Sequence, residues 1–196
     1  FWTSQPVPSP ESLVNGELKD VSGPIEKKTI DEVSKEPGKL PEGYQWDIVD
    51  MDNAEQVEEL YQHLYDHYVE DDDGYFRFNY GKDFIRWALT PPGYEKDMLI
   101  SIRDSNTKKM VAFIAGVIIN LRIEGKLIRA TEVNFLCVLK DMRKLKFAPR
   151  LIQEVTRRSN VKGVWQGVIN STNLVLHLWH NASYSNRPSQ ILPQKS

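Results

Sequence analysis

Between residues 54 and 68 apolar side chains return at every third or fourth position, Val57, Leu60, Tyr61, Leu64 and Tyr68, which is the spacing of one helix face. Asp52 and Asn53 offer caps just before it, so the pattern predicts a helix over Ala54 to His67. It stops at the acidic turn Glu70-Asp71-Asp72-Asp73-Gly74. A shorter helix follows over Lys82 to Leu89, ended by Pro91-Pro92-Gly93, because proline pushes the residue before it out of the helical region. The pattern then changes to dense apolar runs at Met98 to Arg103, Met110 to Leu121 and Ala130 to Val138, which predict strands, with Asp104 to Lys109 as a turn between the first two. Ala148 to Arg158 reads as a third helix and Val164 to Ile169 as one more buried strand. Helices, antiparallel strands, helix, strand is the order of an α/β (α+β) domain, a mixed twisted sheet flanked by helices. Residues 1–45, rich in Pro, Ser, Glu and Gly, read as an extended N-terminal arm, residues 46–169 as the domain, and residues 170–196 as an irregular tail.

The chain has 196 residues, enough for one such domain and too few for two of full size. Hydrophobic residues make up 40% and charged residues 27%, an ordinary balance for a soluble chain. The longest apolar runs, such as Met110 to Asn120, are too short to span a bilayer, so no integral membrane segment is expected. A single cysteine, Cys137, permits no intrachain disulfide and fits a reducing compartment. The first residue is Phe1, so the native N-terminus and any signal on it are expected to lie outside this sequence. The net charge of −2 conceals a division: residues 1–100 hold 9 Lys and Arg against 22 Asp and Glu, residues 101–196 hold 16 against 5. Two readings stay open, attraction of two ligands of opposite sign and neutralisation of one half by the other.

Three groups of residues could carry chemistry. Arg143-Lys144-Leu145-Lys146-Phe147-Ala148-Pro149 lies between a strand and a helix, where cations and helix N–H groups suit a pyrophosphate; a solvated basic loop would carry the same letters. Pro149 fits the first helical turn. The Glu70 to Gly74 turn could hold calcium but lacks the alternating ligand spacing of such loops, and solvated carboxylates are the stronger reading. His63 and His67 share a helix face, which capping or exposure explains as well as zinc does. Cys137 defaults to a small buried apolar residue, and no metal site is expected.

The strand, Arg-x-x-x-x-Ala loop and helix resemble the acyl-CoA loop of the GCN5-related N-acetyltransferase fold, with Lys146 where that loop usually has glycine. A more specific match comes from blocks in a fixed order: Phe1-Trp2-Thr3-Ser4-Gln5-Pro6-Val7-Pro8, Leu40-Pro41-Glu42-Gly43, Tyr68-Val69-Glu70-Asp71-Asp72-Asp73, Phe76-Arg77-Phe78-Asn79-Tyr80, Trp87-Ala88-Leu89-Thr90-Pro91-Pro92-Gly93-Tyr94 and Glu132-Val133-Asn134-Phe135-Leu136-Cys137-Val138. Their succession resembles glycylpeptide N-tetradecanoyltransferase, the protein N-myristoyltransferase family, in the first of its two acetyltransferase-like halves, from Phe1 to about Gln166.

The resemblance implies transfer of myristate from myristoyl-CoA, an acyl-donor substrate with no tightly bound cofactor, to the N-terminal glycine amine of peptides. It implies that Phe1 and Trp2 lie against CoA, and that backbone N–H groups at Phe135 and Leu136 polarise the thioester carbonyl. Cys137 and Val138 continue that strand beside the cofactor. Arg143, Lys144, Lys146, Phe147, Ala148 and Pro149 receive the CoA phosphates. Tyr68, Val69, Glu70, Asp71, Asp73, Phe76, Arg77, Phe78 and Tyr80 form the peptide groove and the loop that favours basic substrates. No nucleic-acid partner is expected, and the setting is cytoplasmic or peripheral at membranes or ribosomes. The chain departs from the family at Leu139, where histidine is usual, at Met98-Leu99, where Trp-His is usual, and after Gln166, where a Tyr-Thr-Ala-Gly segment is replaced. The family's base is the terminal carboxylate of its second half, which this sequence does not contain, so the expectation is that the chain by itself is inactive. The competing reading is a non-catalytic acyl-CoA-binding or partner-binding remnant.

Overall fold

The computed structural model describes residues 28–68, 79–123, 125–169 and 177–179, and the compact unit to which nearly all of them belong runs from Lys28 to Leu178. Six strands follow one another across a single sheet in chain order: β1 (Tyr44–Ile48), β2 (Leu99–Asp104), β3 (Met110–Ile123), β4 (Lys126–Val138), β5 (Gln166–Ile169) and β6 (His177–Trp179). β1 to β4 pair antiparallel, and β5 returns parallel to β4. A parallel return needs a crossover, and the helix α3 (Phe147–Val161) supplies it.

Two further helices, α1 (Ala54–His67) and α2 (Lys82–Leu89), precede β2 with the bounds that their periodicity predicts. The Asn53 side chain accepts from the Glu55 and Gln56 N–H groups, satisfying donors that a helix start otherwise leaves open. α1 and α2 bury Val57, Leu60, Leu64, Ile85 and Leu89 with Phe113, Ala115, Phe135 and Cys137 of the sheet. α3 packs on the other face. There Gly116 makes room for it, since a Cβ would come within 2.7 Å of Met98 Cε and 2.8 Å of Val155 Cγ2. Thr131 on β4 donates to Ser159 on α3 at 2.8 Å, and Ser159 donates to the Val155 carbonyl.

Some expectations are corrected. The boundary at residue 45 falls inside β1, and the segment before it is no free arm from Lys28 onward. Arg150 donates to the Lys39 carbonyl at 2.6 Å, Arg157 to the Ser34 and Lys35 carbonyls, and Trp46 to the Gly38 carbonyl at 2.7 Å. The β3–β4 hairpin is longer than expected at both strands: Ile123 continues the alternation past Leu121, and β4 begins at Lys126 rather than Ala130. The short strand β6 lies in the stretch expected to be irregular. Opposite charges from the two halves of the chain do meet: Arg103 pairs with Asp47 and Glu59, and Lys162 with Glu95 and Asp97.

Candidate functional site

β4 is interrupted where the pairing skips. Phe113 faces Cys137 and Ala115 faces Asn134, so Ile114 alone stands opposite both Phe135 and Leu136. This is a β-bulge, and Phe135 takes φ +55° within it, a left-handed conformation rarely adopted by a bulky side chain. Such strain persists where surrounding packing imposes it and concentrates at working sites. A bulge disrupts the ladder locally, and backbone N–H groups are the kind of donor an oxyanion hole uses. The bulge thus falls on the two residues, Phe135 and Leu136, singled out for that role.

The same bulge turns the Phe135 ring toward α1 and α2. It lies 5.7 Å from Tyr68 and 5.5 Å from Tyr80, edge to face with the latter, and the aromatic chain continues through Phe84, stacked on Tyr80 at 5.1 Å, to Trp87. These rings wall a groove of about 940 Å³ whose floor is Val117 and Ile119 of β3 with Glu132 and Asn134 of β4, and whose rim is Thr90 to Pro92. Trp87 is 73% exposed and Phe84 also faces solvent. Asp83, Arg86 and Glu132 add charged groups to the lining. Tyr68 and Tyr80 were expected here. Phe84, Trp87, Glu132 and Asn134 were not assigned, although the i, i+3 spacing of Phe84 and Trp87 on a short helix offered a signal.

β4 leads into a 3-10 turn, Lys140–Leu145, and then α3. Lys146 joins the two with φ 56° and ψ 43°, so the position where a glycine was expected does adopt a glycine-like backbone. α3 opens with no side-chain cap and no acidic residue in its first turn, while Arg143, Lys144 and Lys146 are exposed and make no ion pair with the described residues. Cations at a helix N-terminus oppose its dipole, and an anion placed there relieves both. Phe147 is corrected in part: its side chain is fully buried edge to face with Tyr44, leaving only its backbone N–H for a ligand. Ala148 stands beside it, and Pro149 offers no N–H.

Cys137 is buried, its thiol pushed up to about 12 by burial and donating weakly to the His63 carbonyl at 3.9 Å. It cannot contribute a thiolate. Its neighbour Val138 is buried as well, so both support the strand rather than offering side chains to a ligand. His63 is buried too, with its pKa lowered to about 4 chiefly by burial, and its Nε2 finds no hydrogen-bond partner. His67 lies beside it, ring centroids 5.6 Å apart. Among the described residues no three His, Cys, Asp or Glu side chains gather as metal ligands, and no helix is long and apolar enough to cross a membrane. Phe1, Trp2, Val69, Glu70, Asp71, Asp73, Phe76, Arg77 and Phe78 lie outside the described residues.

Comparison with known proteins connects these features. Residues 24–178 match the family described as myristoyl-CoA:protein N-myristoyltransferase, N-terminal domain, beyond the Gln166 limit read from the sequence. The chain is 43% identical over 188 residues to glycylpeptide N-tetradecanoyltransferase of Dictyostelium discoideum, covering 93% of this chain and 44% of that protein. It is 42% identical over 195 residues to glycylpeptide N-tetradecanoyltransferase 1 of Arabidopsis thaliana, covering 93% and 43%. Among solved structures, Saccharomyces cerevisiae N-myristoyltransferase with bound myristoyl-CoA superposes with a TM-score of 0.79 at 38% identity, over 90% of this chain and 41% of that one. The chain therefore spans less than half the length of these relatives, and over that span it belongs to the N-terminal-domain family of the myristoyl-CoA:protein N-myristoyltransferases.

Proposed function

We propose that this chain supplies the acyl-CoA-binding and carbonyl-polarising part of a glycylpeptide N-tetradecanoyltransferase, which moves myristate from myristoyl-CoA to the glycine amine at a protein's N-terminus. The observation that carries the reading is the uncapped start of α3 beside Arg143, Lys144 and Lys146, with Lys146 left-handed. In a chain of this family, that combination suits the phosphates of CoA. The strand–basic loop–helix order likewise supports a GCN5-related acetyltransferase-like half. The bulge at Phe135 and Leu136 receives the thioester oxygen as negative charge grows on it. The aromatic groove receives the peptide, with Tyr68 and Tyr80 at its inner end and Phe84 and Trp87 toward solvent. No nucleophilic side chain is needed: the deprotonated glycine amine attacks the thioester carbon and the CoA thiolate leaves. The cytoplasm, where CoA thioesters and nascent chains meet, is the proposed setting.

Calorimetry with CoA tests the phosphate assignment. Arg143→Glu replaces attraction by repulsion and should weaken CoA by about tenfold or more, whereas Asp73→Asn should leave it nearly unchanged. Equal effects of the two substitutions would remove the basic loop from the CoA site.

A further inference from the structure

Phe135 is the only residue of β4 in the left-handed region, with φ +55°, and its side chain is buried in the cluster beneath α1 and α2. That backbone is unfavourable for a bulky residue and persists only where packing compensates. The compensating contacts here are aromatic. The ring lies 5.7 Å from Tyr68 and meets Tyr80 edge to face, at 5.5 Å and an interplanar angle of 88°, the arrangement in which the positive edge of one ring faces the negative surface of the other. Tyr80 is itself supported: it stacks on Phe84 at 5.1 Å and 15°, one residue ahead of the Gly81 that caps α2. A return of Phe135 to extended backbone would turn its Cβ away and give up both ring contacts.

Resting on the acyl-transfer reading above, we propose that Tyr80 is a positioning residue: its ring clamps the Phe135 ring and so keeps the bulge in the left-handed form that receives the acyl carbonyl. The ring carries this role and the hydroxyl does not. Without the clamp the extended form of Phe135 competes, and only the left-handed fraction of the molecules can take a carbonyl oxygen. Apparent affinity for a carbonyl ligand then falls in proportion to that fraction. A ligand that lacks the carbonyl is bound through its CoA portion and feels no change. The same ring lines the groove, so one wall serves both the groove and the bulge.

Two CoA ligands separate the carbonyl from the rest of the donor. One is the ketone analogue of myristoyl-CoA, in which a methylene parts the sulfur from the carbonyl; the other is the thioether S-tetradecyl-CoA, which has no carbonyl. By calorimetry on the full chain, Tyr80→Leu should bind the ketone about fivefold more weakly and the thioether as the unmodified chain does. Tyr80→Phe keeps the ring and should bind the ketone as tightly as the unmodified chain. The Phe135 Cα resonance of Tyr80→Leu should move from the left-handed toward the extended range. Adding Phe135→Gly to Tyr80→Leu should restore ketone binding, because glycine takes a positive φ without strain. Phe84→Ala, at an exposed position, removes the stacking support of Tyr80 and should weaken the ketone selectively in the same sense, a check that does not depend on Tyr80→Leu folding. Equal weakening of both ligands, an unmoved Phe135 resonance, or failure of Phe135→Gly to rescue overturns the role of Tyr80 and leaves the acyl-CoA reading in place. Failure of the unmodified chain to bind either ligand overturns that reading and the proposal with it.

Discussion

Arg157 clasps Glu154 through two hydrogen bonds, Nε to Oε2 at 2.8 Å and Nη2 to Oε1 at 2.7 Å. The Glu154 side chain is 1% exposed, and Arg158 adds a third bond at 2.6 Å. Nη1 of Arg157 reaches the carbonyls of Ser34 and Lys35, and Nη1 of Arg158 that of Asp97. One carboxylate thereby orients two cations, Arg157 fastening the N-terminal segment to α3 and Arg158 fastening the turn before β2. Glu154→Gln removes the charge that balances them, and a loss of about 3–5 kcal/mol is expected. Urea denaturation measures it, and a loss no larger than that of a surface substitution would contradict the pairing.

Lys146 combines an unfavourable backbone with a useful charge. A side chain in the left-handed region costs about 1–2 kcal/mol, part of which glycine recovers against its greater freedom in the unfolded chain. Lys146→Gly should therefore raise stability by about 0.5–1 kcal/mol while weakening CoA about threefold through loss of one cation. Thermal unfolding and calorimetry on the same variant should move in opposite directions.

His63 sets a pH dependence. Its folded pKa of about 4 lies below the ordinary 6.5, so the unfolded chain takes up a proton before the folded one does. The contribution to stability is complete above about pH 6.5, declines as the pH falls, and is gone by about pH 4, a span on the order of 3 kcal/mol. Carboxylates titrate near the lower end of this window. The comparison is therefore between the chain and His63→Leu, whose stability should fall less steeply between pH 6.5 and 4.

At Gly116 the sheet and α3 touch without a side chain between them. Gly116→Ala should cost about 1–3 kcal/mol by overpacking against Met98 and Val155. Val155→Ala removes one of the two opposing groups, so the double variant should lose less than the sum of the single losses. Strict additivity of the denaturation energies would place the strain elsewhere.

Both early helices could be read from the chain because their ends carry chemistry of their own. Asn53 accepts hydrogen bonds at the start of α1, and the proline pair follows the end of α2. β1 was harder. Tyr44 to Ile48 contains two polar residues and lies at the sheet edge, half exposed, so no apolar run announces it. The longer hairpin was missed because Arg122 and Arg129 sit among its apolar positions. The basic loop from Arg143 to Lys146 was legible because charge appears directly in the letters. The groove wall was less so, since Phe84 and Trp87 become neighbours of Tyr80 only when α2 folds. The bulge left no mark, for Asn134 to Val138 reads like any buried strand.

That bulge also changes the counting along β4. Thr131 faces α3, and strict alternation would send Phe135 and Cys137 to the same side. Instead they join Phe113 and Ala115 in the cluster beneath α1 and α2, because one surplus residue has shifted the phase of the strand. Upstream and downstream portions consequently address different cores with the same odd-numbered positions. Removing a single residue between Asn134 and Cys137 would keep both ends on their proper faces and let the ladder close without interruption. Such a deletion would keep the pairing of both ends, yet it would erase the bulge and take the Phe135 ring from between Tyr68 and Tyr80, so in this protein a frame of one residue separates a continuous sheet from a candidate reaction site.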